Sequence, residues 1–226
     1  MTKVPYKFSP SSLSLLKECP KCFWLKFRQN ISRPSTIFPS LPSGMDRILK
    51  VHFDTCRAKG VLPPELASLN GEVKLFDNMA LLDVWRNNFK GVRWTDEKNF
   101  VLSGAVDEIL QKGDKLVVLD FKTRGFPVKD DTASYYQDQL DIYNFLLRKN
   151  GYKTEDYAYL LIYHPDKVCA NGDVVFHKDL KKVKTNPENA NTILEKAVSL
   201  LEGDMPATDG ECGFCGWFGK CSVLPK

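Results

Sequence analysis

The chain has 226 residues, of which 43% are hydrophobic, 12% aromatic and 27% charged. Those proportions exclude disordered and fibrous chains and suit one globular domain spanning residues 1–226. The net charge of +4 permits a nucleic-acid partner without arguing for one. The longest apolar run, Tyr157 to Tyr163, is too short to span a bilayer, so no membrane partner is expected. Met1 to Pro10 carries Lys3 and Lys7 but no apolar stretch of a secretory signal. The expectation is a cytoplasmic protein with reduced thiols.

Ser9-Pro10 is a helix start, with serine as cap and proline in the first turn. Leu13, Leu16, Phe23 and Phe27 recur at helical spacing and Pro20 interrupts them, so two short helices should meet at Cys19. Pro34, Pro39 and Pro42 mark Ser32 to Gly44 as a loop. Ser43 to Arg57 reads as a helix with Met45, Ile48, Leu49, His52 and Cys56 on one face, and Leu75 to Phe89 as another. Phe100 to Leu110 and Leu116 to Phe121 read as strands around a two-residue Gly113-Asp114 turn of type II′. Counting outward from that turn, Asp107 faces Asp120, with β-carbons about 4.5–5.5 Å apart. Ser134 to Arg148 should be a helix presenting Tyr136, Gln139, Leu140, Tyr143 and Leu147. Asp156 to Tyr163 and Val174 to His177 should be strands, and Pro187 to Glu202 the last long helix. The basic run Lys178, Lys181, Lys182 and Lys184 precedes it, and either contacts phosphates or is a solvated face.

Two features point to metals. Five of the seven cysteines fall in two windows: Cys19 and Cys22 as C-x2-C, and Cys212, Cys215 and Cys221 as C-x2-C-x5-C. A C-x2-C pair lets two thiolates reach one ion from a tight turn, and tetrahedral thiolate sites need four ligands, so both ends of the chain should contribute. Cys56 and Cys169 are isolated and read as bystanders. Secondly, two carboxylates facing each other in a hairpin repel unless a cation lies between them, and hard oxygen ligands suit Mg2+ or Mn2+. Lys122 is two residues beyond Asp120 and shares its face of the strand. A metal with an ammonium beside it suits phosphodiester hydrolysis, with the lysine orienting water and offsetting charge.

Gly104-Ala-Val-Asp107-Glu-Ile, Leu116-Val-Val-Leu-Asp120-Phe-Lys122-Thr and Gln139-Leu-Asp-Ile-Tyr143, in that order, resemble the RecB-type branch of the PD-(D/E)XK nuclease superfamily. Cys19-Pro-Lys-Cys-Phe-Trp and the closing cysteine triplet resemble its iron–sulfur members, among them a CRISPR-associated exonuclease and AddB-type helicase–nuclease subunits. The resemblance implies an α/β, restriction-endonuclease-like core, with a mixed central sheet flanked by helices and the termini joined by a cysteine-ligated cluster. Residues 43–177 would form the catalytic core, and 9–30 with 203–226 the clasp. Asp107, Asp120 and the backbone carbonyl of Phe121 would hold Mg2+ or Mn2+, Lys122 would be catalytic, and Gln139 and Tyr143 would support the site. Cys19, Cys212, Cys215 and Cys221 would bind a 4Fe-4S cluster. Cys22 departs from the pattern and leaves a zinc site of Cys19, Cys22, Cys212 and Cys215 as the alternative. The family's metal-binding histidine follows a glycine by four residues; here Ile48 stands at that place, His52 is one turn further on, and Asp46 is another substitute. The implied activity is hydrolysis of DNA, in single-stranded form and from a free end, alongside repair or CRISPR adaptation proteins. Two rivals remain: a non-cutting nucleic-acid-binding subunit, and a zinc-stapled interaction protein.

Overall fold

A computed structural model describes residues 6–96, 100–208 and 210–221, with Cys221 described by its backbone alone. The elements begin with β1 (Tyr6–Phe8), α1 (Pro10–Glu18), α2 (Pro20–Gln29) and α3 (Ser40–Ala58). Next come β2 (Lys74–Leu75), α4 (Met79–Arg86), β3 (Val92–Asp96), β4 (Phe100–Gly104), β5 (Glu108–Lys112) and β6 (Lys115–Thr123). The chain continues through α5 (Gln137–Lys149), β7 (Tyr157–Val168), β8 (Val174–Lys184), α6 (Pro187–Glu202) and α7 (Gly213–Cys221). Short 3-10 turns precede β2, at Pro64–Leu69, and α5, at Asp130–Tyr136.

The result is a mixed α/β fold. One sheet has the order β2-β5-β6-β7-β8, with β6 and β7 parallel and the other pairs antiparallel. A smaller sheet has the order β1-β4-β3. The middle strand β6 is buried from Leu116 through Phe121, as a strand covered on both faces must be. Its side chains alternate. Leu116 and Val118 pack with Leu160, Ile162, Leu140, Ile142 and Leu194, on the side of α5 and α6. Val117, Leu119 and Phe121 pack with Leu161, Leu49 and Phe53, on the side of α3. Each such aliphatic or aromatic side chain contributes about 1.5–3 kcal/mol of burial.

Local signals place several boundaries. The Ser9 side chain accepts the Ser12 N–H and the Ser12 side chain accepts the Ser9 N–H, closing a capping box on α1. Cys19 ends α1 and caps α2. Gly113 has φ +58° and Asp114 does not share a positive φ, as a type II′ turn requires. Other boundaries differ from expectation. α3 starts three residues early, because Pro42 is tolerated in a first helical turn. Its buried row is Leu49, Phe53 and Cys56, while Ile48 is exposed. The expected helix from Leu75 shrinks to α4, because Leu75 joins β5 as a strand and the Asn78 side chain caps at Leu81 N–H. α5 begins at Gln137, so Tyr136 stands before the helix. β7 and β8 are longer than expected and form a long hairpin that absorbs Pro165 at a register shift. The basic run therefore lies within edge strand β8. Lys178 and Lys182 oppose Tyr163 and Tyr159 on one face, and Lys181 opposes Leu160 on the other, so alternation splits the run.

Candidate active site

The hairpin register holds from Lys112 opposite Lys115 out to Glu108 opposite Leu119, and then the ladder stops. Asp107 is the first residue beyond it, since β4 has left to pair with β1 and β3. Asp107 is thus not a ladder partner of Asp120, yet it still reaches β6: its Oδ2 accepts the Phe121 N–H at 2.9 Å. Asp120 and Lys122 continue the row of Leu116 and Val118, and so face α5. Asp120 is fully buried and in contact with the Lys122 ammonium. That ammonium also lies 4.8 Å from the Tyr136 ring centre, a cation–π contact.

Two helices complete the site. From α5, Gln139 Nε2 donates to Asp120 Oδ1 at 3.3 Å and to the Tyr143 hydroxyl at 2.8 Å. From α3, Lys50 Nζ lies 3.1 Å from Asp107 Oδ1 and 2.8 Å from Asp46. Lys50 thus bridges Asp46 and Asp107, Lys122 pairs with Asp120, and the two carboxyl groups Asp107 and Asp120 are left side by side between the two ammonium groups. His52, expected at this place, instead lies 3.1 Å from Glu65 Oε2, and no hydrogen bond or ion pair joins it to Asp107 or Asp120. Lys50 had no motif to announce it; the Asp46–Lys50 spacing of one helical turn was the available signal.

Burial pushes the Asp120 carboxyl up to about 7, and the Asp107 charge adds to this against the opposing pull of Lys122. Burial also raises Asp46. For Lys122, burial disfavours the charge, but Asp120 outweighs it and the ammonium is held above its ordinary value. Lys50 behaves likewise through Asp107 and Asp46. Burial, reinforced by Asp120 and Asp107, keeps the Tyr143 hydroxyl protonated. Asp120 Oδ2 is buried and takes no hydrogen bond of regular geometry. A buried carboxylate oxygen with a free lone pair, next to a second carboxylate, fits a divalent cation bound by hard oxygens.

An ion-pair network holds Asp107 from behind, and no sequence motif revealed it. Glu108, with no exposed surface, receives Arg57 Nη2 at 2.6 Å on both oxygens and Arg86 Nη2 at 2.8 Å. Asp54 receives Arg86 Nη1 at 2.9 Å and also contacts Arg57. Arg86 Nε donates to the Asp107 carbonyl at 2.9 Å. Burial raises Glu108, against the lowering effect of the two guanidinium groups.

Across the fold, Cys19, Cys22, Cys212 and Cys215 meet, with their sulfur atoms within 4.8 Å of one another. Separations are 3.8 Å for Cys19–Cys215, 3.8 Å for Cys22–Cys212 and 3.6 Å for Cys22–Cys215. Bonds of about 2.3 Å to one tetrahedral ion set sulfurs about 3.8 Å apart. Cys22 is thus a member of the group, where the expected cluster left it outside; the Cys221 side chain and residues 222–226 lie outside the described residues. Arg33 Nη2 lies 3.5 Å from Cys212 Sγ. Burial opposes ionisation of Cys212, but the Cys215 backbone N–H and the neighbouring thiols bring it down to about 6. Cys215 is pushed up to about 12, by burial first. Four clustered sulfur atoms beside an arginine are a donor set that suits a thiolate-bound metal.

Comparison with known proteins places these motifs. No curated protein matches the chain significantly. Among solved structures, the crystal structure of SSO0001 aligns with 100% of this chain and 88% of its own, at 14% identity and a TM-score of 0.45. The family model for the PD-(D/E)XK nuclease superfamily matches residues 45–222, which include most of α3, Asp107, Asp120, Lys122, α5 and Cys212 to Cys221. The chain belongs to the PD-(D/E)XK nuclease superfamily.

Proposed function

We propose that the protein is a Mg2+- or Mn2+-dependent deoxyribonuclease that acts on single-stranded DNA from a free end, in DNA repair or CRISPR adaptation. Members of the superfamily generally hydrolyse phosphodiester bonds and use divalent metals. The observation that carries the reading is the convergence of Asp107, Asp120 and Lys122 at one end of β6, with Gln139 on Asp120. Asp107 and Asp120 are the residues to hold the ion, together with the Phe121 carbonyl, and Asp46 is the acidic group that α3 offers nearby. A divalent ion there supplies Lewis-acid polarisation of the phosphoryl oxygen. The Lys122 ammonium, fixed by Asp120 and the Tyr136 ring, orients the attacking water and stabilises negative charge developing on phosphorus substituents. Gln139, with Tyr143 behind it, fixes the Asp120 rotamer. Arg86 fixes the backbone of Asp107.

The thiol group is a metal clasp in this reading. The resemblance favours a 4Fe-4S cluster through Cys19, Cys212, Cys215 and Cys221. The observed sulfur spacing, and the inclusion of Cys22, favour a single tetrahedral ion such as zinc. Anaerobic purification followed by iron, sulfide and zinc analysis decides between them.

The nuclease reading is tested with end-labelled single-stranded DNA and excess Mn2+ or Mg2+. Wild type should shorten the substrate, and chelation should stop it. Lys122→Ala should lower the rate by at least about 100-fold with an unchanged circular dichroism spectrum. Wild type that cuts no DNA with any divalent ion, or a Lys122→Ala variant that cuts normally, overturns the reading.

A further inference from the structure

The β7–β8 hairpin carries a second group of ligand-type side chains. The chain has three histidines, and two of them, His164 and His177, face each other across this hairpin. Asp179 lies two residues along β8 from His177, on the same face. The two rings are 5.1 Å apart. His164 Nε2 is 3.4 Å from Asp179 Oδ2, and His177 Nε2 is 3.7 Å from Asp179 Oδ1. The three ligand atoms lie within 4.8 Å of one another.

Spacing, tautomer and burial each separate this group from a casual surface cluster. Both contacts with Asp179 exceed the usual N–H···O range of about 2.7–3.2 Å. A tetrahedral ion with bonds of about 2.0–2.1 Å sets its ligands about 3.3–3.4 Å apart; the His164 contact matches this, and the His177 contact, made to the other carboxylate oxygen, is slightly longer. His164 Nδ1 lies 3.1 Å from the Pro165 carbonyl, which can only accept, so Nδ1 carries the hydrogen. Nε2 is then the ring nitrogen that faces Asp179. A backbone carbonyl on the far ring nitrogen is the usual support of a metal-binding imidazole. The His164 side chain is only 9% exposed.

The geometry points to a binding site for one zinc-class divalent cation, held by His164 Nε2, His177 Nε2 and an Asp179 carboxylate oxygen. Three protein ligands leave a coordination position for water or an anionic oxygen. An imidazole-rich set favours Zn2+ over Mg2+, which takes oxygen ligands. The site is distinct from the cysteine group and from the Asp107–Asp120 pair. Even so, it shares the face of Asp120 and Lys122: Lys122 pairs with Ile162, and His164 is the next residue of β7 on that face.

The test is Co2+ titration of the full chain, with its cysteine site already loaded and excess Mg2+ present. Wild type should take one further equivalent, showing weak visible bands without thiolate-to-cobalt charge transfer. His177→Ala, at an exposed position, should keep the circular dichroism spectrum and weaken this binding by at least about tenfold. Asp179→Asn should weaken it too. A wild type that takes no such equivalent, or an equivalent that persists undiminished in both variants, overturns the assignment.

Discussion

Asp120 shows how a single buried carboxylate shapes both stability and site. Its folded pKa of about 7 stands above the roughly 3.9 of an unfolded aspartate. Between those values the native state holds more protons than the unfolded state, so stability falls as pH rises through the window and levels off above it. In chelator, wild type should lose stability by up to a few kcal/mol between about pH 4 and 7. Asp120→Asn cannot ionise and should flatten that slope, as urea titrations across the range would show. An equally steep slope in the variant would place the titration elsewhere. Arg86 acts differently, since it satisfies Glu108 and Asp54 and grips the Asp107 carbonyl. Arg86→Ala leaves a buried carboxylate short of one partner and should cost about 3–5 kcal/mol, read as a lower urea midpoint at unchanged slope.

At the scale of elements, the site depends on how closely α5 approaches β4. A β-carbon on Gly104 would lie 2.8 Å from the Tyr143 ring, a distance that forces the ring or the helix to move. Gly104→Ala should therefore shift Tyr143, loosen its hydrogen bond from Gln139, and cost about 1–3 kcal/mol. A crystal structure of the variant with Tyr143 unmoved would contradict this. Signals confined to a few neighbours were legible in advance: the Ser9 cap, the Gly113 turn with its register, the helix junction at Cys19 and the full extent of α6. The break between β4 and β5 was not, because apolar alternation runs through Val106 while the pairing partner changes. Lys50, Arg57 and Arg86 were illegible for a related reason: the partners that bring them to the site, Asp107 and Glu108, lie elsewhere in the sequence, and a charged helix residue ordinarily faces solvent. His52 and Ile48 were read onto a buried face that the packing of Phe53 against Phe121 rotates away. β8 runs on past His177 through its lysines, because an edge strand accommodates charged side chains.

Seen whole, the molecule is joined across its length by the cysteine group. The indole of Trp24 adds a hydrogen bond to the Gly203 carbonyl at 3.1 Å. Cross-linking distant residues constrains the unfolded chain strongly. Stripping the metal, or substituting Cys22→Ser, should lower the melting temperature by several degrees, while a Cys169→Ser control should leave it unchanged. Equal melting of Cys22→Ser and wild type would remove Cys22 from the ligand set. The same sequence separation has a consequence during synthesis. Cys22 and Cys212 are 190 positions apart, so at about 5–20 residues per second the first thiols emerge from the ribosome roughly 10–40 s before the second pair exists. The sheet must therefore fold around an unfastened amino terminus, and the proposed metal clasp would be loaded only at the end of maturation, with oxidation of the waiting pair as its direct competitor.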